Sequence, residues 1–280
     1  MNLREPCLPR GWYPRETGKI EEFLEPFVNS SDSPAAPAAI APHAGWYYSG
    51  LPAAMAVSSL DREAETVAVI GGHLPPGMPI LVAEEEGAKT PFGVMKIDQM
   101  LREEFKKQVS AEMKPPRPDS YQDNTIEVLL PMVHYFFPKA GLLWLRFPAE
   151  LASHQAGKLL AKSAAKLKKR IAVIGSTDLT HYGDNYGYSP KGRGKPALEW
   201  VKNVNDAAFI DAVLAGDPSR ALQRAQEDSA ACSAGAALGA LGFAACLGKA
   251  SGRLLDYRTS ADADSQIPGS FVGYAAIAIT

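Results

Sequence analysis

The chain alternates short, strongly apolar runs with longer segments of helical periodicity, and this alternation restricts it to few architectures. The runs that predict buried strands span 38–42, 66–72, 141–147 and 170–177. Helical patterns occupy 51–60, 98–110, 125–137, 149–169, 196–216 and the small-residue segment after Cys232. The runs 252–260 and 270–279 predict a closing pair of strands. Strands that alternate with helices predict an α/β fold, here a single domain over 1–280, with a central mostly parallel or mixed sheet and helices on both faces.

Composition narrows the function. The net charge of −2 offers no basic field for nucleic acid. Three cysteines, an odd number, predict a reducing, cytoplasmic setting without a disulfide framework. The first residues lack the apolar core of a signal peptide. The apolar run 231–248 is mostly alanine and glycine, so it favours a buried helix over a membrane span. Segments 29–39 and 114–123 are typical of surface loops.

The five histidines fall into two groups. His134 and His154 lie within helical patterns, where a structural role is expected. His43, His73 and His181 each follow or close a strand-like run, close to glycine. In α/β sheets ligands bind outside the carboxyl ends of the strands, so these three side chains are expected to converge.

Convergent imidazoles suit a divalent transition metal, although three unrelated turns would give the same local patterns. Asp178 lies three residues before His181 and is a further candidate ligand. Cys232 opens the small-residue helix, and a helix N-terminus favours the thiolate form that binds metals. A small buried cysteine would explain the same position. Dinucleotide, Walker A and nucleophile-elbow motifs do not match the glycine-containing turns.

Several blocks together resemble the Memo-like family, whose prokaryotic members include the AmmeMemoRadiSam system protein B. These blocks are "PHAGWYYSG", "VAVIGGH", "KTPFGVMKID", "NTIEVLLPMV", "IAVIGSTDLTHYG", "CSAG" and "LLDYRTSAD" with "FVGYAAIA". They occur in the order and approximate spacing of that family, from residue 11 to the last predicted strand. Each block is short, but their joint order is specific.

The resemblance implies a fold similar to class III extradiol dioxygenases, which open the rings of catechol-type substrates at a single metal pocket. His43 and His73 match the two histidine ligands, and Cys232 matches the cysteine that stands where the dioxygenases have a carboxylate. His181 matches the acid/base histidine, and Asp178 matches the acidic residue of the same motif. The resemblance implies one metal ion, Fe(II) first, with copper or zinc as the alternatives that a thiolate ligand favours.

The chain departs from the family pattern at four places. Where the family commonly has serine before the second histidine, this chain has Gly72. Where it commonly has glycine after the cysteine, this chain has Ser233. The usual Glu-His-Ser block is Asp123-Asn124-Thr125, and the glutamine that the family has just after it is Leu129.

Two functions follow as expectations. The first is a metal-dependent oxidoreductase that resembles an extradiol dioxygenase, with His181 as acid/base and a small aromatic ligand. Trp46, Tyr47 and Asn124 are then expected to contact the substrate, with the aromatics equally suited to the core, and Glu127 to support a ligand histidine from behind. The second is a non-catalytic metal- or peptide-binding protein that retains the pocket. No nucleic-acid or membrane partner is expected, and a homo-oligomer is compatible with the sequence.

Overall fold

The computed structural model describes residues 1–28, 35–249, 251–263 and 265–280. Its strands are β1 (Leu3–Arg4), β2 (Ala38–Ala41), β3 (Thr66–Leu74), β4 (Leu81–Val82), β5 (Gly87–Thr90), β6 (Gly93–Lys96), β7 (Arg117–Pro118), β8 (Gly141–Pro148), β9 (Ile171–Ser176), β10 (His181–Gly183), β11 (Gly252–Thr259) and β12 (Ser270–Ile279). Its helices are α1 (Thr17–Leu24), α2 (Trp46–Ser58), α3 (Gln99–Glu112), α4 (Asn124–Glu127), α5 (Leu130–Phe136), α6 (Ala152–Lys166), α7 (Lys195–Trp200), α8 (Asp206–Leu214), α9 (Pro218–Glu227) and α10 (Ala234–Cys246). A π-helical turn, Val201–Asn205, joins α7 to α8.

The predicted α/β fold is confirmed, and its sheet is mixed. The strand order is β10-β12-β2-β9-β3-β8-β4-β7, with β11 paired to β12. The four central strands β2, β9, β3 and β8 are parallel, as their continuous apolar sequences predict. Antiparallel β12 and β4 flank them. Helices α3, α6 and α10 bury one face of the sheet, and α1, α2 and α5 bury the other.

The helix boundaries differ from the sequence pattern in two places. Helix α2 begins at Trp46, five residues before the predicted start at 51. The pattern over 125–137 divides into α4 and α5, because Pro131 lacks an N–H and fits only the first turn of a new helix. The small sheet β1-β5-β6 and helix α9 were not predicted. Of the two predicted loops, 114–123 contains β7, and 29–39 falls mostly on residues 29–34, outside the described part.

Helix α10 is the buried small-residue helix that the sequence predicted. A Cβ atom on Gly235 would lie 2.1 Å from the Pro148 carbonyl oxygen, and one on Gly242 would lie 1.9 Å from that of His154. Only glycine permits this close approach to the end of β8 and to α6. The contact fixes the start of α10, and with it Cys232, beside the sheet edge. Within the described ranges, no helix has the length and apolarity to cross a bilayer.

Candidate metal centre

The parallel strands β2, β3 and β9 end at one edge of the sheet, and each brings a polar side chain there. His43 follows β2 by two residues, His73 is the second-last residue of β3, and Asp178 follows β9 by two residues. His181 is the first residue of β10, and Cys232 lies two residues before α10. The expected convergence at the carboxyl ends of the strands therefore occurs in the structure.

Three of these residues form a donor set suited to a metal. One ligand atom each from His43, His73 and Cys232 lies within 4.8 Å of the other two. The His43 Nε2 and Cys232 Sγ atoms are 3.3 Å apart. Nitrogen and sulfur ligands of a tetrahedral zinc ion, at about 2.0 and 2.3 Å from the metal, lie about 3.5 Å apart. The set thus fits a transition metal in both its chemistry and its spacing.

His43 is built into the core. Its side chain is 1% exposed, and its Nδ1 atom lies 2.9 Å from the Ser176 hydroxyl at the end of β9. Its backbone N–H donates to Asp178 Oδ1 over 2.7 Å. Burial lowers the pKa of His43, but the nearby charges of Asp178 and Cys232 outweigh it and raise the pKa above its ordinary value.

His73 is held by charge. It has a φ of +57°, a left-handed conformation that costs free energy for a residue with a Cβ, and its side chain is 32% exposed. Its Nδ1 atom lies 3.0 Å from Asp123 Oδ2, which also accepts from Arg146 Nη2 over 3.2 Å. Burial lowers the pKa of His73, but the hydrogen bonds and charges of Asp123 and Cys232 together outweigh it and raise the pKa to about 10. The pKa of Asp123 falls to about 2, since hydrogen bonds from His73 and Thr125 outweigh its burial.

The environment of Cys232 favours the thiolate form. Burial raises its pKa, but the adjacent imidazoles of His43 and His73 hold the pKa well below the ordinary thiol value. Its backbone N–H donates to the Asp178 carbonyl oxygen over 3.2 Å, which ties the segment before α10 to the segment after β9. The neighbouring Ser233 hydroxyl accepts from the His73 backbone N–H over 3.2 Å.

Asp178 and His181 lie beside the donor set. Asp178 Oδ2 is 3.9 Å from His43 Nε2 and 3.8 Å from His181 Nε2, so one buried carboxylate faces both rings. His181 Nε2 is a buried atom without a hydrogen-bond partner among the described residues. Burial lowers the pKa of His181, but the interaction with Asp178 and the charge of Cys232 together outweigh it and raise the pKa. An unsatisfied, titratable nitrogen is what proton transfer with a bound ligand requires.

A cavity of 710 Å³ opens onto the histidines. Tyr47 and Asn124 line it, and their contact with a substrate stays a prediction. The Asn124 amide is anchored there, because it donates to the His43 carbonyl oxygen over 3.0 Å. Trp46 instead packs in the core, where its Nε1 donates to the Val128 carbonyl oxygen over 2.9 Å, and it borders the adjacent cavity.

The expected contact between Glu127 and a ligand histidine is wrong. The buried Glu127 carboxylate accepts hydrogen bonds from the N-terminal segment, namely from the Cys7 and Leu8 backbone and from the Tyr13 hydroxyl over 2.9 Å. Helix α4 turns this side chain toward the N-terminal segment. Asp123, four residues earlier, is the carboxylate that contacts a histidine of the donor set, His73.

Two supporting residues were missed by sequence reasoning: Ser176 behind His43 and Asp123 behind His73. Metal-ligating histidines generally use their second ring nitrogen for such a contact, which fixes the tautomer and the ring orientation. A signal existed for both residues. Ser176 ends the strand before Asp178, and Asp123 begins the block in which the chain departs from the family pattern.

The fold and site together define an α/β protein with a histidine–histidine–cysteine donor set at the carboxyl edge of a mixed sheet. A family model described as Memo-like protein matches residues 4–278, and the chain belongs to this family. It is 31% identical over 289 residues to a MEMO1 family protein of Pyrococcus abyssi, an alignment that covers 98% of each chain. It is 28% identical over 286 residues to a MEMO1 family protein of Methanosarcina mazei, with 100% of each chain covered.

A solved structure supports the fold. The crystal structure of an uncharacterized protein, JW3007, from Escherichia coli K12 superposes with a TM-score of 0.53 at 12% identity. The match covers 88% of this chain and 100% of that one. At this identity the likeness concerns the fold alone.

Proposed function

We propose that the protein holds one transition-metal ion between His43, His73 and Cys232 and uses it in an oxidoreductase reaction on a hydroxylated aromatic compound. The observation that carries the proposal is the convergence of the three donors, each histidine with its Nδ1 atom engaged elsewhere. This leaves the second ring nitrogen of each histidine for the metal. Fe(II) is the metal proposed, with copper and zinc as alternatives because the thiolate is a soft ligand.

Three protein ligands leave positions open, and a metal held there supplies Lewis acidity and redox chemistry to a bound ligand. The protein supplies the proton transfer. His181, in its neutral form, accepts a proton from a ligand hydroxyl, and the Asp178 carboxylate stabilises the imidazolium that results. The same carboxylate accepts a hydrogen bond from the His43 backbone. Asp178 therefore positions both a metal-binding histidine and the proposed acid/base histidine.

The lining of the 710 Å³ cavity supports an aromatic ligand. Tyrosine rings line its walls, two from the first turn of α2, one from the turn after β10 and one from β12: Tyr47, Tyr48, Tyr186 and Tyr274. The Tyr186 ring lies 4.9 Å from the His181 ring, centroid to centroid. A flat ligand between these walls would be positioned by offset or edge-to-face ring contacts.

The test is anaerobic loading with Fe(II), followed by oxygen and a panel of catechols, with ring-opened product measured by absorbance. We expect turnover in the native protein and a loss of at least about a hundredfold in His181→Ala, since general acid–base groups contribute 10²–10⁴-fold. His134→Ala is the matched control, because this half-buried histidine contacts Thr90 far from the centre. Absence of any retained metal in the native protein would contradict the proposal.

A second candidate is a metal- or peptide-binding protein without turnover. The observation that favours it is the Asn124 amide, which is committed to the His43 carbonyl oxygen, at a position where the family pattern has a histidine. One tightly bound ion per chain, lost in His43→Ala and accompanied by no product from any catechol, would support this candidate over the first. For either function we propose a cytoplasmic location, since Cys7, Cys232 and Cys246 are all unpaired thiols.

A further inference from the structure

The two sides of the donor set face different cavities. His43 and His73 line the larger one, of 710 Å³. Cys232 instead borders a second cavity of 330 Å³. His181 and Tyr186 line both, so their two rings form the partition between the cavities. A metal in the donor set would therefore be approached from the histidine side through one opening and from the sulfur side through the other.

The two cavities differ in the charged side chains that line them. The larger one carries Arg10, Asp178 and two asparagines, and it suits a ligand with polar groups. The described lining of the smaller cavity contains no aspartate, glutamate, lysine or arginine; beside Cys232 and His181 it presents Leu179, Ala225, Ala231 and the Ser229 hydroxyl. The hydroxyl of Tyr188, which also lines it, is already committed to the Asp228 carbonyl oxygen over 2.7 Å. An anion that enters this cavity would lose water without meeting a lysine or arginine in the described lining, which favours an uncharged molecule.

We propose that the smaller cavity is a second entrance to the centre, which admits a small uncharged reactant to the sulfur side while the larger cavity holds the organic ligand. Only the role of that molecule as a co-reactant rests on the proposed function. The entrance itself is lined by protein side chains alone, so we expect it to be present in the metal-free protein as well.

The test is the rate at which the Cys232 thiolate reacts with methyl methanethiosulfonate in the metal-free protein. The background is Cys7→Ser with Cys246→Ser, so that Cys232 is the only thiol. The thiolate attacks the reagent sulfur, a mixed disulfide forms and methanesulfinate leaves. Rates of this exchange depend on access, so we expect Ala225→Phe, which fills the smaller cavity, to slow labelling by about tenfold.

The matched control is Ala44→Phe, which makes the same change in the larger cavity and is expected to leave the rate unchanged. The sulfonate-bearing analogue of the reagent is expected to react more slowly than the uncharged one. Slowing by Ala44→Phe, or an undiminished rate in Ala225→Phe, would overturn the second entrance. The sulfur-to-cobalt absorption band of the Co(II)-loaded variants checks that each retains the native site. Since labelling needs no metal and no turnover, its outcome is separable from that of the proposed function.

Discussion

The two histidines of the donor set have the same proposed role and are held by opposite means. His43 is buried, has ordinary backbone geometry and contacts a neutral hydroxyl, that of Ser176. His73 is one-third exposed, has a left-handed backbone and contacts the carboxylate of Asp123, which Arg146 holds in turn. Packing thus fixes the His43 ring, while Asp178 holds its backbone, and charge and strain fix the His73 ring. The first arrangement couples the site to the stability of the fold, and the second leaves the site adjustable.

The largest expected difference between the two histidines is the effect of removing each ring on the stability of the fold. We expect His43→Ala and His73→Ala each to weaken metal binding by more than about a hundredfold, beyond the usual effect of losing an outer residue. Only His43→Ala should also lower the free energy of unfolding of the metal-free protein substantially, by about 3 kcal/mol, because it leaves a cavity and unpaired buried groups. Metal titration and urea unfolding measure the two effects. Equal losses of stability in both variants would contradict the contrast.

The contact between Gly72 and Ser233 offers a second way to disturb the His73 side. A Cβ atom on Gly72 would lie 2.3 Å from the Ser233 Cβ atom, so the two positions have room for one side chain. We expect Gly72→Ser to destabilise the protein by about 3 kcal/mol through overpacking, and Gly72→Ser with Ser233→Gly to recover most of it. Gly18→Ser, at a glycine with open space around it, is the control for the substitution itself.

This pair also shows what the sequence left out. Gly72 and Ser233 counted as two separate departures from the family pattern, 161 positions apart in the chain. The structure brings them into contact, and the Ser233 hydroxyl accepts from the His73 backbone. Seen together, they exchange a serine between two facing segments. A single sequence carries no information on which distant residues touch, so this relation could not be predicted.

The sequence predicted where residues lie in the fold better than it predicted the direction in which their side chains point. The strand-end rule located His43, His73 and Asp178 correctly, because parallel strands bring their carboxyl ends to one edge whatever the loops do. Glu127 was misassigned because one helical turn decides which segment a side chain faces, and α4 is only four residues long. The N-terminal segment that it contacts had no periodic pattern from which a position could be inferred.

The next largest expected difference is the effect on metal affinity of removing the residue that contacts the Nδ1 atom of each histidine. We expect Asp123→Asn to weaken metal binding by about 10- to 100-fold, the usual cost of losing an outer carboxylate. Ser176→Ala should cost less, because close packing holds His43 in addition to the hydroxyl contact. Equal losses in the two variants would show that charge does not distinguish the His73 side. Calorimetric titration with zinc gives both affinities.

The same comparison can be made by acid titration. The pKa of Asp123 is about 2 in the folded protein against 3.8 for the unperturbed group, so the folded state binds fewer protons between these values. Its contribution to stability, about 2 kcal/mol, is complete above pH 4 and is lost as the pH falls through 2. Asp123→Asn should flatten this part of the stability curve, whereas Ser176→Ala should leave its slope unchanged. Unfolding by urea at a series of pH values measures it.

The smallest expected effect concerns the backbone of His73 alone. At a φ of +57° a Cβ atom is unfavourable, so His73→Gly should be more stable than His73→Ala in the metal-free protein by about 1 kcal/mol. Both variants lose the imidazole and its contact with Asp123, so their difference isolates the conformational term. His154, within α6, provides the opposite control, since there alanine should exceed glycine by about 1 kcal/mol. If glycine is no better than alanine at position 73, the strand end is not strained, and His73 is held by charge alone.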